Sequence, residues 1–353
     1  MRKALDLIRK EVRELEPYSA DRYVYPSVET FLDFNENAFG SPVEFEGQPV
    51  NRYPIQQVSD LKSALAKYVG KGIKPENMLL GNGSDEIIDV TVRAVAGTGD
   101  NVVIVEPGYS LFEVCVRGAG AEVRAAVSDE QFQPDVEKIL GLVDGNTKMI
   151  VVVSPSSGSG MPINVGRIRE LVERSGCLVF VDEAYVEFGG ETVAPLVLEY
   201  ENLVVSRTLS KAWGLAGLRI GYLVASQEIA AAIDKIRMPE NMNSVSTLLA
   251  LKALENMEKM LEMMEQMRCE RLFLKKGLES KGLAVFDSVA NFLVFRLPPG
   301  LNASSAQKKI LASGVLVRNR SSLPLLKNCL RATVGTREEN ERFLDALDEV
   351  LGV

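Results

Sequence analysis

Between residues 60 and 245, short runs of Val, Ile, Leu and Phe alternate with stretches whose apolar positions recur every three or four residues. The runs NVVIVE, EVRAAV, KMIVVVS, CLVFVDE, NLVVSRT and GLRIGYLVA have the near-continuous apolar character of strands covered on both faces. The stretches VSDLKSALAKYV, SDEIIDVTVRAVA and GRIRELVERSG carry helical periodicity. Together they predict an α/β fold, a mostly parallel sheet wrapped by helices, with any ligand at the carboxyl ends of the strands.

After Pro239, the run SVSTLLALKALENMEKMLEMMEQMRCERLFLKKGLESKG sets Met257, Met260, Met264 and Met267 at helical spacing. It predicts one long helix, with the methionines as adaptable core filler against a neighbouring sheet. Beyond it, LAVFDS, NFLVFRL, GVLVRNR and LRATVGT predict strands, and TREENERFLDALDEVLGV an amphipathic closing helix. The expected division is a large unit, residues 45–245, and a small α+β unit built from residues 1–44 and 246–353. The opening MRKALDLIRKEVRELEPYSADR reads as an amphipathic helix and not as a signal peptide. Charges or Gly/Pro interrupt every apolar run before it reaches membrane-spanning length, so the cytoplasm is the expected location.

Composition narrows the chemistry. A net charge of -8 and a pI near 5.1 leave no basic stripe, which argues against nucleic acid and anionic membranes as partners. Cys115, Cys177, Cys269 and Cys329 are far apart, without CxxC or metal-ligand spacing, and are expected to be buried reduced thiols; no metal is expected. The histidine count is zero, which removes imidazole as base, nucleophile partner or zinc ligand. Proton transfer must then come from Lys, Tyr, Asp, Glu, Cys or a cofactor.

The segment SRTLSKAWGLAGLRIGY places Thr208, Ser210 and Arg219, all able to donate to an anion, around the potential nucleophile Lys211. CLVFVDEAYVEF ends a strand in Asp182, followed by Tyr185; a strand-end aspartate suits either a ligand or a loop hydrogen bond. GNGSDEII brings Ser84 and Asp85 to a helix start, which fits an anion site or an ordinary N-cap. EPGYS sets Tyr109 at another strand end, where it could stack on a planar ring or belong to the rim.

In this order, NRYP, GNGSDE, VDEAYVEF, RTLSKAWGLAGLRIGY, ANFLVFR, GVLVR and LRATVGTREE resemble the fold-type I pyridoxal-phosphate aminotransferases, and among them the histidinol-phosphate aminotransferases, over nearly the whole chain. The resemblance implies a large domain with a mostly parallel seven-stranded sheet between helices, plus a small α+β domain. It implies pyridoxal 5'-phosphate held as a Schiff base on Lys211, which also shuttles the proton, with Asp182 at the pyridine nitrogen. Tyr185 would bind the ring hydroxyl, and Tyr109 would stack on the ring. Ser84, Asp85, Glu86, Thr208, Ser210 and Arg219 would complete the cofactor set. Tyr53 of NRYP would reach the cofactor phosphate of a neighbouring subunit, which implies a homodimer with shared sites.

By the same resemblance, Arg318 and Arg331 receive the substrate's anionic end. Tyr18 and Asn37, with Asn35 and Glu36, come from an N-terminal stretch that folds over the site, and Asn243 and Asn291 line it. The implied reaction converts histidinol phosphate and 2-oxoglutarate to imidazole-acetol phosphate and glutamate, in histidine biosynthesis. An aromatic amino-acid aminotransferase, an enzyme like threonine-phosphate decarboxylase, and a cofactor-binding protein without catalysis are the alternatives. One departure stands out. Where relatives carry Asn-Pro-Asn-Asn-Pro-Thr-Gly, this chain reads SPSSGSG from Ser154 to Gly160, so Ser157 replaces the asparagine of the ring hydroxyl. The shorter serine needs a bridging water to span the same gap, so a shifted cofactor titration or slower turnover is expected, with the cofactor retained.

Overall fold

The computed structural model describes residues 4–15 and 50–352. Among them, strands β1 (Met78–Asn82), β2 (Asn101–Glu106), β3 (Glu122–Val127), β4 (Thr147–Val153), β5 (Leu178–Asp182), β6 (Leu203–Thr208) and β7 (Ile220–Ala225) form one seven-stranded sheet in the order β1-β7-β6-β5-β4-β2-β3. Strands β2 to β6 pair in parallel, whereas β7 runs antiparallel to both β1 and β6.

Helices α1 (Ile55–Val69), α2 (Gly83–Val95), α3 (Leu111–Gly118), α4 (Val136–Gly141), α5 (Val165–Arg174) and α6 (Gln227–Asp234) cover the two faces. Val103, Val105, Ile150, Val152, Val179 and Val181 face one way, onto Leu61 and Leu65 of α1 and Leu171 of α5. Val102, Ile104, Val151, Leu178, Phe180 and Val204 face the other, onto Ile87 of α2, Phe112 of α3 and Ile233 of α6. Alternate residues thus enter opposite cores, and this is why the strands read as unbroken apolar runs.

Two expectations are corrected. Residues 4–15, assigned to the small unit, pack on the large one. Ala4, Leu7, Ile8 and Val12 join the second cluster, and Lys235 of the turn after α6 donates to the Arg13 carbonyl at 2.8 Å. Their spaced apolar side chains find an unfilled stripe between the ends of α2 and α6, and they form a 3-10 turn plus a short helix, not one long helix. The run after Pro239 is likewise two helices, α7 (Ser244–Leu254) and α8 (Met257–Ser280). Asn256 leaves helical geometry at φ -109, ψ 45, and its amide donates to the Lys252 carbonyl at 2.7 Å, replacing a main-chain bond lost at the break.

Helix α8 passes from one core to another. Met260, Met263 and Met264 pack on the first cluster, while Met267, Leu274 and Leu278 belong to a third, so the methionines do act as filler, except the exposed Met257. That third cluster also holds α9 (Ala303–Ala312), α10 (Arg337–Leu351) and one face of a smaller antiparallel sheet. Its strands are β8 (Ala284–Val285), β9 (Phe292–Arg296), β10 (Arg318–Asn319) and β11 (Cys329–Thr333), in the order β10-β11-β9-β8. The opposite face, through Phe292 and Val294, meets Ala184 and Tyr185 just beyond β5, which seats the small sheet over one edge of the large one. All four cysteines are free; Cys177 and Cys329 are buried and Cys115 is half-buried, but Cys269 is exposed on α8, against expectation.

Candidate active site

Because β1, β2, β4, β5 and β6 end at the same sheet edge and antiparallel β7 begins there, four loops and the β6–β7 connection, five sequence-distant segments in all, converge on one place. They line a cavity of about 300 Å³ whose remaining wall is the small sheet. Of the expected site residues, Ser84, Asp85, Tyr109, Ser157, Asp182, Tyr185, Thr208, Ser210, Lys211, Arg219, Arg318 and Arg331 all line it.

An anion cradle forms at the start of α2. Gly83 sits at φ +76, and Arg219 adopts the left-handed region at φ 54, ψ 54, uncommon for a residue with a side chain. The Gly83 N-H donates to the Arg219 carbonyl at 2.9 Å, while Arg219 Nη2 meets Asp85 Oδ2 at 2.8 Å and Nη1 reaches Ser210 Oγ at 3.5 Å. A β-carbon at Gly83 would lie 2.3 Å from Arg219 Nη2, and one at Gly221 would lie 2.2 Å from the Gly83 carbonyl carbon and the Ser84 nitrogen. Glycine is therefore required at both positions. Thr208 Oγ1 donates to the Ile220 carbonyl and accepts from the Ser210 N-H, both at 3.1 Å, so the two hydroxyls are locked beside a helix start whose N-H groups favour an anion. Asp85 is itself an anion, and its carboxylate holds Arg219 and accepts from Tyr109 Oη at 3.1 Å. Its side chain therefore orients the cradle.

Asp182 is buried. It accepts from Ser206 Oγ at 2.9 Å and the Ala184 N-H at 3.2 Å, yet burial pushes its pKa up to about 6, so the carboxylate is short of positive charge. Lys211 Nζ stands 5.6 Å from the centroid of the Tyr185 ring. Loss of water contact, then repulsion by Arg331, pulls the Lys211 amine below the usual lysine range, against the opposing pull of Asp182 and Asp85. Burial raises Tyr185, and burial together with Asp85 pushes Tyr109 up to about 12, so both phenols stay protonated near neutrality.

From the small sheet come three arginines. The register pairs Arg318 of β10 with Arg331 of β11, and Arg320 lies two residues beyond Arg318, on the same face. Arg331 Nη1 donates to the Ser157 carbonyl at 3.1 Å, and its guanidinium carbon lies 4.9 Å from the centroid of Phe292.

Some expected residues stand elsewhere. The Glu86 carboxylate accepts from the Asn82 N-H at 2.5 Å and from Asn241 Nδ2 at 2.9 Å, outside the lining, where it fixes the turn before α2. Tyr53 is 49% exposed and outside the lining. Asn243 caps α7 by accepting from the Ser246 N-H at 2.8 Å, and Asn291 also lies outside the lining. Tyr18, Asn35, Glu36 and Asn37 lie outside the described residues. Arg320 and Ser206 escaped the sequence reading. The period-two pattern of GVLVRNR carried a signal for Arg320, whereas Ser206 is one polar residue inside a buried strand and carried none.

Pyridoxal phosphate fits this donor set. Ser157 Oγ is buried in the lining without a hydrogen-bond partner among the described residues, the donors of the cradle line an open cavity of about 300 Å³, and Asp182 awaits a cationic neighbour such as a pyridinium.

Residues 30–347 match the family model of aminotransferase class I and II. A histidinol-phosphate aminotransferase of Christiangramia forsetii is 35% identical over 98% of this chain and 97% of its own length. One of Bacteroides thetaiotaomicron is 35% identical over the full length of both. Among solved structures, the histidinol-phosphate aminotransferase of Sinorhizobium meliloti in complex with pyridoxal-5'-phosphate matches with a TM-score of 0.79 at 26% identity, over 98% of this chain and 97% of that one.

Proposed function

Since the chain belongs to the class I and II aminotransferases, and within them to the histidinol-phosphate aminotransferase family, we propose that it uses pyridoxal 5'-phosphate to interconvert histidinol phosphate and 2-oxoglutarate with imidazole-acetol phosphate and glutamate, a step of histidine biosynthesis. The observation that carries this reading is the position of Lys211: one amine, between an anion cradle and a buried carboxylate, facing an arginine-lined wall.

When bound, the cofactor supplies an aldehyde that condenses with amines and a ring that withdraws electrons from the amine-bearing carbon. The residues of the chain do the rest. Ser84, Thr208, Ser210 and Arg219 hold the phosphate, with Asp85 keeping Arg219 in place. Asp182 gives the ring nitrogen a buried counter-charge, and Tyr109 and Tyr185 confine the ring and its hydroxyl. The lowered pKa leaves more of the Lys211 amine neutral, as both a nucleophile and a base for the substrate Cα proton must be. Arg318 and Arg331 take the far anionic end of either substrate. No histidine is needed at any point, in keeping with the composition.

The reading includes a homodimer with shared sites, Tyr53 reaching the partner's phosphate cradle, and a cytoplasmic location; the exposure of Tyr53 supports the first. Among the described residues no helix is long and apolar enough to cross a membrane.

The test pairs borohydride trapping of the cofactor with peptide mapping, followed by turnover of histidinol phosphate against phenylalanine, each with 2-oxoglutarate, in the wild type and in Arg318→Ala. A reduced adduct at position 211 and a preference for histidinol phosphate that collapses in Arg318→Ala are expected. An unlabelled Lys211, or equal use of both donors, would overturn the reading.

A further inference from the structure

We infer that Arg320 is a specificity-determining residue of the substrate pocket, a third guanidinium that favours a doubly charged phosphate monoester over a carboxylate. The inference rests on the function proposed above and assigns a role to a residue outside the pair already given one.

Arg320 lines the cavity with Arg318 and Arg331, and its main chain is fixed by its N-H donating to the Cys329 carbonyl at 3.0 Å. Its side chain forms neither an ion pair nor a hydrogen bond among the described residues, and Nε is buried without a partner, as is the hydroxyl of the adjacent Ser321. Arginines with a purely structural role in this small unit are satisfied by carbonyls: Arg271 donates to Ala290 at 3.0 Å and Arg296 to Leu325 at 2.8 Å. A buried donor left unmade is costly, so an orphan Nε in a cavity wall points to an acceptor that arrives with a ligand.

Charge points the same way. Burial, then Arg331 and Arg318, pulls Arg320 down to about 10, still cationic at neutral pH; Tyr185 and Glu106 act on it in the opposite sense without forming an ion pair with it. Three mutually repelling cations with no carboxylate among them are poorly matched to a ligand of one negative charge. Two arginine forks already satisfy both oxygens of a carboxylate. A phosphate monoester brings close to two charges and three oxygens, and so gives the third fork something to bind.

The test uses the holoenzyme, with its cofactor in place, and the variants Arg320→Gln and Arg320→Lys. Their kcat/KM for histidinol phosphate and for glutamate would be measured, along with competitive inhibition by methyl phosphate and by acetate. In Arg320→Gln the preference for histidinol phosphate over glutamate should fall roughly tenfold or more, mainly through KM, and methyl phosphate should weaken by a similar factor while acetate changes far less. Arg320→Lys, which keeps the charge but not the fork, should fall between and decides the matter if the glutamine variant does not fold. Parallel losses for both substrates and both inhibitors, or no loss at all, would overturn the assignment. Equal turnover of histidinol and histidinol phosphate by the wild type would instead sink the proposed function, and the methyl phosphate arm would still decide on Arg320.

Discussion

Arg207 and Glu183 form a buried ion pair at 2.9 Å, one position along the chain from the pair Ser206 and Asp182, so that β5 and β6 are laced together twice in succession at the edge where the cavity opens. Glu183 is further satisfied by the Val193 N-H at 2.6 Å and Thr192 Oγ1 at 2.8 Å. The ion pair thus fixes the strand ends that present Asp182 and Thr208.

Removing one partner strands the other charge in the interior. Arg207→Met should cost about 3–5 kcal/mol of stability in urea unfolding of the apoprotein. The double variant Arg207→Met, Glu183→Gln should recover much of that loss. A double variant no more stable than the single one would show that the pair is not the source.

Gly221 brings β7 against the first turn of α2 with no room for a methyl group. Gly221→Ala should displace Gly83 and Ser84, destabilise the fold by about 1–3 kcal/mol as overpacking does, and speed cofactor release on desalting. Unchanged retention of the visible chromophore would count against the cradle as described.

Asp182 supplies a pH dependence whose sign is fixed by its environment. The folded-state pKa of about 6 lies above the ordinary 3.8, so the folded apoprotein holds this proton more firmly than the unfolded chain. Stability from this group is complete below pH 4, falls as pH rises through about 6 and then levels off, a change on the order of 3 kcal/mol at most. Asp182→Asn should flatten that part of the stability profile. A variant curve parallel to wild type from pH 4 to 7.5 would contradict the assignment.

Ser157 lines the cavity, and its buried Oγ has no hydrogen-bond partner among the described residues. Ser157→Asn should shift the pH midpoint of the bound cofactor's visible band while Lys211 remains trappable. An unmoved midpoint would mean that this position does not reach the ring hydroxyl.

The large sheet was legible because its inner strands are apolar on both faces, a pattern set by local composition; EVRAAV, expected to be covered on both faces, is the edge strand β3, and only its Ala126 is buried. The break before Met257 was not. Glu255 and Asn256 are tolerable within a helix, and only the need to pack α7 on α1 and α8 on a second core bends the chain there. Lys211, Asp182 and Arg219 were legible because charges in apolar surroundings are conspicuous. Glu86 misled because it directly follows the lining residues Ser84 and Asp85, and helix geometry turns it away. Arg320 was overlooked beside Arg318, although strand alternation makes them equivalent.

Helix α8 is anchored at its start in the core of the large sheet and along its second half in the core of the small one. Its 24 residues extend about 36 Å, long enough to reach from one core into the other. The core behind Lys211 and the core behind Arg318 and Arg331 thus share one continuous helix.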